Sequence, residues 1–194
     1  SGPGGYVAGI RAGQLGLKVA VVERDPFLGG TCLHRGCIPT KALLENADIY
    51  EKIHKSKEFG ITVGDVKIDF GAVQARKQGV VDKNAKGNEF VFKKNKVERV
   101  TGWGKLAGKG VVEVSNNGQS QRLTAKNIIL AMGSVPKDLP HIKADGTKII
   151  NSDHILQVDR VPKWMLVIGA GAVGCEVASI FTRFGTKTTI VEVM

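Results

Sequence analysis

At 194 residues the chain is long enough to bury one sizeable core or to begin a second. Hydrophobic residues make up 42% and charged residues 24%, which excludes a disordered or fibrous chain, and no apolar run reaches membrane-spanning length. The net charge of +10 raises nucleic acid as a partner. Against it, Lys83, Lys86, Lys93, Lys94, Lys96 and Arg99 are mixed with Asp82, Glu89 and Glu98 and carry no aromatic platform, so a solvated helix face is expected.

Ser1-Gly2-Pro3-Gly4-Gly5 opens into residues 6–15, which read as a helix ended by Gly16. Residues 18–22 form a β-type run that closes on Glu23. A glycine-rich turn, a helix, a strand and an acidic residue about 20 positions on form the dinucleotide fingerprint. The first glycine and the strand before it are lacking.

Cys32 and Cys37 follow, with four residues between them. Zinc sites repeat Cys-x-x-Cys and need four ligands, and only Cys175 is left over. A thioredoxin-like site also needs Cys-x-x-Cys. The spacing suits a disulfide closed across the start of a helix, because Gly36 frees the backbone and Pro39 is tolerated in a first turn. Two structural cysteines that never pair are the alternative. With three cysteines in all, a reducing compartment fits better than a secreted scaffold. The expected location is the cytoplasm, or the mitochondrial matrix for a eukaryotic source.

Residues 40–57 read as a long helix with Ala42, Leu43, Ala47, Ile49, Tyr50 and Ile53 as its apolar positions. Asp69 can cap a second long helix running to about Asn95, with Val73, Val80, Val81 and Phe90 facing inward. Three β-like runs come next, 97–101, 111–114 and 123–130, with Asn117-Gly118 as a hairpin signal. Residues 136–162 are a proline-punctuated crossing. Ser152-Asp153-His154 within it reads as a turn or helix cap, not a triad. No histidine has partners at metal spacing, and no metal site is expected.

Residues 165–168 read as a strand leading into Gly169-Ala170-Gly171-Ala172-Val173-Gly174, the full Gly-x-Gly-x-x-Gly. A shift of 169 residues places Gly2 on Gly171, Gly5 on Gly174, Gly16 on Gly185 and Glu23 on Glu192. The chain therefore carries two nucleotide loops in register. By that register the sequence is expected to be a fragment cut inside its first loop and ending early in its second domain. In each loop glycines let the backbone approach a pyrophosphate, and the carboxylate can accept from a ribose hydroxyl. The expected architecture is α/β. A doubly wound Rossmann-like domain with an antiparallel meander spans 1–133, a linker 134–163, and the start of a second Rossmann-like domain 164–194.

Gly-Gly-Thr-Cys-x4-Gly-Cys-Ile-Pro-Thr-Lys, residues 29–41, resembles the active-site segment of the flavoprotein disulfide reductases, and Cys-Ile-Pro-Thr-Lys-Ala-Leu-Leu is most similar to that of dihydrolipoamide dehydrogenases. Gly102-Trp103-Gly104 resembles the family's Gly-x-Gly turn beside the adenine. Ala131-Met132-Gly133-Ser134 departs from its usual Ala-Thr-Gly-Ser at Met132. The resemblance implies FAD on the first loop, held by Gly2, Gly5, Glu23, Gly30, Thr31, Lys41, Gly104, Gly133 and Ser134. It implies NAD on the second, held by Gly169, Gly171, Gly174 and Glu192. Cys32 would be the interchange thiol and Cys37 the thiol against the flavin. Lys41 would approach the flavin ring and pair with Glu176, which stands where the first copy has Val7. The implied partner is the lipoyl-bearing domain of a 2-oxo-acid dehydrogenase or glycine cleavage complex, and the implied full-length assembly is a homodimer. Its catalytic His-Glu pair would come from a region absent here, so the fragment is expected not to turn over. A mercuric or glutathione reductase and a nucleotide-binding module with inert cysteines are the alternatives.

Overall fold

The computed structural model describes residues 1–192; Val193 and Met194, at the end of the second expected nucleotide domain, lie outside the described residues. The chain is α/β and divides into two compact units, neither contiguous in sequence. The first comprises residues 1–34 and 82–135, the second 35–81 and 136–194.

The first unit opens on helix α1, Pro3–Gln14. Gly2 stands at its N-cap in extended conformation and Pro3 follows as the first helical residue, where no amide partner is needed. The helix thus starts three residues earlier than the glycines suggested. Strand β1, Ala20–Glu23, pairs in parallel with β2, Glu98–Thr101. Between β1 and α1 lies a small core of Leu28, Phe92 and Val97 with Tyr6, Ile10, Val19 and Val21 against it. A three-stranded antiparallel meander follows: β3, Trp103–Gly108, β4, Val111–Asn116, and β5, Gln119–Thr124. Asn117 and Gly118 make the β4–β5 turn with φ of 47° and 79°, the primed-turn geometry that Asn-Gly favours.

Two sequence expectations change here. The expected turn at 102–104 narrows to a bend at Gly102, with φ of 147°: Trp103 and Gly104 already begin β3, paired with Ser115 and Val114. The third β-run stops at Thr124 because its partner Val111 is the first residue of β4, and Ile129 and Leu130 beyond it are exposed.

The short helix α2, Gly30–Arg35, carries Cys32; α3, Cys37–His54, starts at the second cysteine, three residues before the expected start at Thr40. Pro39 in its first turn is fully buried. A 3-10 turn at Ser56–Phe59 ends on Gly60 in the left-handed region. Helix α4, Phe70–Lys94, begins beside Asp69, whose Oδ1 accepts from the Ala72 amide at 3.0 Å. Its residues to Val81 belong to the second unit and those from Asp82 to the first. Phe90, expected to face inward, is 66% exposed; Phe92 is the buried aromatic.

The second unit contains α5, Ser152–Ile155, then β6, Trp164–Ile168, α6, Ala172–Arg183, and β7, Lys187–Val191, with β6 and β7 parallel. Ser152-Asp153-His154 is indeed a cap. The Asn151 side chain accepts from the Asp153 and His154 amides, and the Asn151 amide donates to His154 Nδ1. The core is aromatic: Phe70, Phe181 and Phe184 meet at tilted to edge-on angles with Leu43, Ala47 and Ile180 around them. Lys77, 3% exposed, donates from Nζ to the Leu156 carbonyl at 2.6 Å. Its neighbour Gln74 donates to the Val158 carbonyl.

Candidate functional site: two nucleotide loops and a cysteine segment

In the first unit, three expected binding segments, Glu23, Gly30 with Thr31, and Gly133 and Ser134 with Ala131, converge on the start of α1. The Gly29 amide donates to the Ser1 carbonyl at 3.0 Å. Gly30 has φ of +60°, and a Cβ there would lie 2.5 Å from the Gly2 Cα. Only glycine permits that approach of two main chains, and it leaves a side-chain-free cradle at a helix N-terminus. Gly5 packs on the Ala131 methyl, and Thr31 Oγ1 donates to the Ser134 carbonyl at 3.4 Å. Gly104 lies close to Val22, the residue before Glu23.

Glu23 is held firmly. Its Oε2 accepts from the Ser1 amino group at 2.6 Å and from the Ser1 hydroxyl at 2.7 Å, and its Oε1 accepts from the Asp25 amide at 2.9 Å. Burial pushes the carboxyl up. Hydrogen bonds from the Ser1 nitrogen, the Asp25 amide and the Ser1 hydroxyl outweigh that and lower it.

The second loop repeats the first by itself in the second unit. Gly171 caps α6 with φ, ψ of −68°, 177°, against −66°, −175° for Gly2 at α1. Each helix has 12 residues, and each is followed by a glycine with positive φ, Gly16 at 79° and Gly185 at 100°. The Ala170 amide donates to Glu192 Oε2 at 2.7 Å. In the 169-residue register Ala170 stands on Ser1, so this is the Ser1–Glu23 contact made again. A Cβ on Gly174 would meet the Gly169 carbonyl oxygen at 2.0 Å, which explains the third glycine.

Lys41, in the first turns of α3, and Glu176, in the second turn of α6, come together with Nζ 2.5 Å from Oε1. The side chains are 54% and 32% exposed. Val7, the first-copy counterpart of Glu176, is exposed and meets no such partner by its chemistry. Nearby on the same two helices Arg183 bridges Asp48 and Glu51.

The cysteines occupy adjoining helices. Cys32 is partly buried within α2, and Cys37 is exposed as the first residue of α3, after Gly36 at the N-cap. Among the described residues no three His, Cys, Asp or Glu side chains are grouped to hold a metal ion. Nor, among those residues, is any helix long and apolar enough to cross a membrane.

Two features of the first loop were not read from the sequence. One is the contact of the Ser1 nitrogen and hydroxyl with Glu23, of which only the nitrogen has a counterpart, at Ala170, in the second copy. The other is Arg24, whose guanidinium lies 4.7 Å over the Trp103 ring. Cross-strand distance carries that contact, and nothing local in sequence marks it.

Comparison with known proteins agrees with this geometry. The profile of the pyridine nucleotide-disulphide oxidoreductases matches residues 1–194. The chain is 44% identical over 200 residues to a dihydrolipoyl dehydrogenase of Bacillus subtilis, covering 98% of this chain and 42% of that protein. It is 46% identical over 193 residues to the mitochondrial dihydrolipoyl dehydrogenase of Dictyostelium discoideum, covering 98% and 40%. The chain thus spans about two fifths of the length of these relatives. Its fold matches the crystal structure of LpdA from Mycobacterium tuberculosis with a TM-score of 0.91 at 22% identity, over 99% of this chain and 43% of that one. With a full-length profile match, relatives above 40% identity and two nucleotide loops of one geometry, the chain belongs to the pyridine nucleotide-disulphide oxidoreductase family.

Proposed function

We propose that the parent protein is a flavoprotein disulfide oxidoreductase that oxidises a protein-bound dihydrolipoyl group with NAD, as a dihydrolipoyl dehydrogenase. The observation that carries this is the repeated loop: in both copies a main-chain cradle at a helix start lies beside a carboxylate fixed by a backbone-position nitrogen. Two dinucleotides and a Cys-x4-Cys segment suit an electron relay. Residues 1–133 form the flavin domain, 134–163 the linker, and 164 onward the start of the pyridine nucleotide domain.

The residues fit FAD in the first loop. Gly2, Gly5 and Gly30 accept a pyrophosphate, Glu23 a ribose, and Thr31, Gly104, Gly133 and Ser134 border the same nucleotide. Gly169, Gly171, Gly174 and Glu192 suit NAD likewise. Cys32 exchanges with the substrate and Cys37 faces the flavin. The substrate's two thiols close to a disulfide as the Cys32–Cys37 disulfide opens to two thiols, so two electrons and two protons are exchanged between them. Bound FAD supplies the carrier that takes those electrons on to NAD. Glu176 holds the Lys41 ammonium in one place for the flavin end. The substrate is the lipoyl arm of a 2-oxo-acid dehydrogenase or glycine cleavage complex, met by a homodimer in the bacterial cytoplasm or the mitochondrial matrix.

The test uses the full-length protein with dihydrolipoamide and each nicotinamide cofactor. At Glu192 the 2′-phosphate of NADP meets a carboxylate and removes a hydroxyl donor, a loss of about 2–4 kcal/mol, or roughly tens to hundreds-fold in kcat/KM. Equal or better kcat/KM with NADP overturns the Glu192 assignment. A protein that binds no FAD and leaves dihydrolipoamide unoxidised overturns the whole reading.

A further inference from the structure

The second half of α4 has two unlike faces. Val81, Ala85 and Phe92 are buried. On the opposite side Lys83, Lys86, Phe90, Lys93 and Lys94 are all exposed. Spacings of three, four, three and one place these five on a single helical face. With a rise of about 1.5 Å per residue the stripe is about 16 Å long. Phe90 stands in its middle at 66% exposure, with a lysine on either side along the axis. The core does not use this ring. Glu89, beside the stripe, is 3.9 Å from Arg99, so its charge is directed to β2.

We propose that this stripe docks an acidic segment of a partner polypeptide, with carboxylates over the four lysines and an apolar side chain on Phe90. Charge complementarity sets the sign, and the ring selects among anions. A bilayer surface is disfavoured because one phenylalanine is far from the broad apolar face that interfacial helices bury. Single-stranded nucleic acid is disfavoured because it uses a charged groove with several stacking rings, and this face is a convex helix with one.

The test uses the intact chain and three probes: a peptide of glutamates with one central leucine, a single-stranded oligonucleotide of equal charge, and phosphatidylserine-containing vesicles. The peptide is expected to bind best and to weaken as salt rises, because exposed charges are screened within about 10 Å at 0.1 M. Replacing all four lysines by glutamine is expected to weaken binding at least about tenfold. Phe90→Ala is expected to weaken it severalfold with the circular dichroism spectrum unchanged. Should the fourfold variant misfold, Phe90→Ala and the pair Lys83→Gln, Lys86→Gln carry the test. Peptide affinity unmoved by these changes, no peptide binding at low salt, or tighter binding of the oligonucleotide or vesicles overturns the proposal.

Discussion

Replacing Glu176 by glutamine removes one charge and keeps the shape. Its Oε1 lies 2.5 Å from Lys41 Nζ, so a contact is lost; the question is how much it contributes. Lys41 is 54% exposed and Glu176 32%, so water reaches both groups. The ammonium left behind is therefore hydrated, and the large penalty of a stranded buried charge does not arise. A pair of this exposure contributes about 0.2–1 kcal/mol. For a chain of this length 1 kcal/mol corresponds to about 2–4 °C in melting temperature. Glu176→Gln should thus lower the melting temperature of the 194-residue chain by about 4 °C or less, with the fold intact. A double-mutant cycle with Lys41→Met, read by chemical denaturation, isolates the pair term. The coupling should shrink at 1 M salt, where the screening length falls to about 3 Å. Its function is then read separately in the flavin-loaded full-length protein, as a shifted flavin potential. A coupling above about 2 kcal/mol that salt leaves unchanged would refute the reasoning, because it would mean a desolvated pair. So would a coupling of zero.

Two further outcomes are expected. Gly174→Ala should disrupt the second loop, since its methyl would lie 2.0 Å from the Gly169 carbonyl oxygen, whereas Gly171→Ala, with open space and φ of −68°, should leave stability nearly unchanged; equal melting temperatures for the two variants would contradict the packing argument. Lys77 is lowered from its usual value by burial, so the unfolded chain holds that proton more tightly, and stability from this group rises as pH climbs from the depressed folded value toward 10.5; Lys77→Met should lack that rise, and parallel pH–stability curves for the two proteins would count against it.

The α/β pattern was legible wherever one signal dominated. Gly16 and Gly185 ended helices, Asn117-Gly118 turned a hairpin, and Asp69 marked a helix start. The Lys41–Glu176 contact was legible because the repeat singled out a carboxylate at the place of Val7 and the family resemblance supplied the lysine as its partner. What was missed has physical causes. Strand β3 was hidden by Gly102 and Gly104, which read as a turn; Gly104 in fact admits the close approach of Val22. Phe90 and Phe92 are two residues apart and lie on different sides of α4, and composition does not tell which side has the core. Lys77 is buried against expectation for its type, because the Leu156 carbonyl offers a partner that no local pattern reveals.

The repeat also separates what each loop keeps from what it changes. Both keep the N-cap backbone angles, the helix length, the left-handed glycine after the helix and the bond from position 1 or 170 to the carboxylate. These are main-chain features, and they hold the acidic side chain before any ligand arrives. Glu23 shows how far that goes. It accepts three hydrogen bonds, and a carboxylate has about four lone-pair sites, so one remains for a ribose hydroxyl. A carboxyl lowered by its hydrogen bonds stays ionised throughout the neutral range, so it meets a ribose as an acceptor only. Among the many side chains that differ between the copies, one pair lies one turn further on, Val7 against Glu176. There the backbone is already satisfied within its helix, and a change of residue alters the neighbouring surface without altering the loop. A duplicated fold can acquire a new electrostatic contact at that point, and the Lys41–Glu176 pair occupies it.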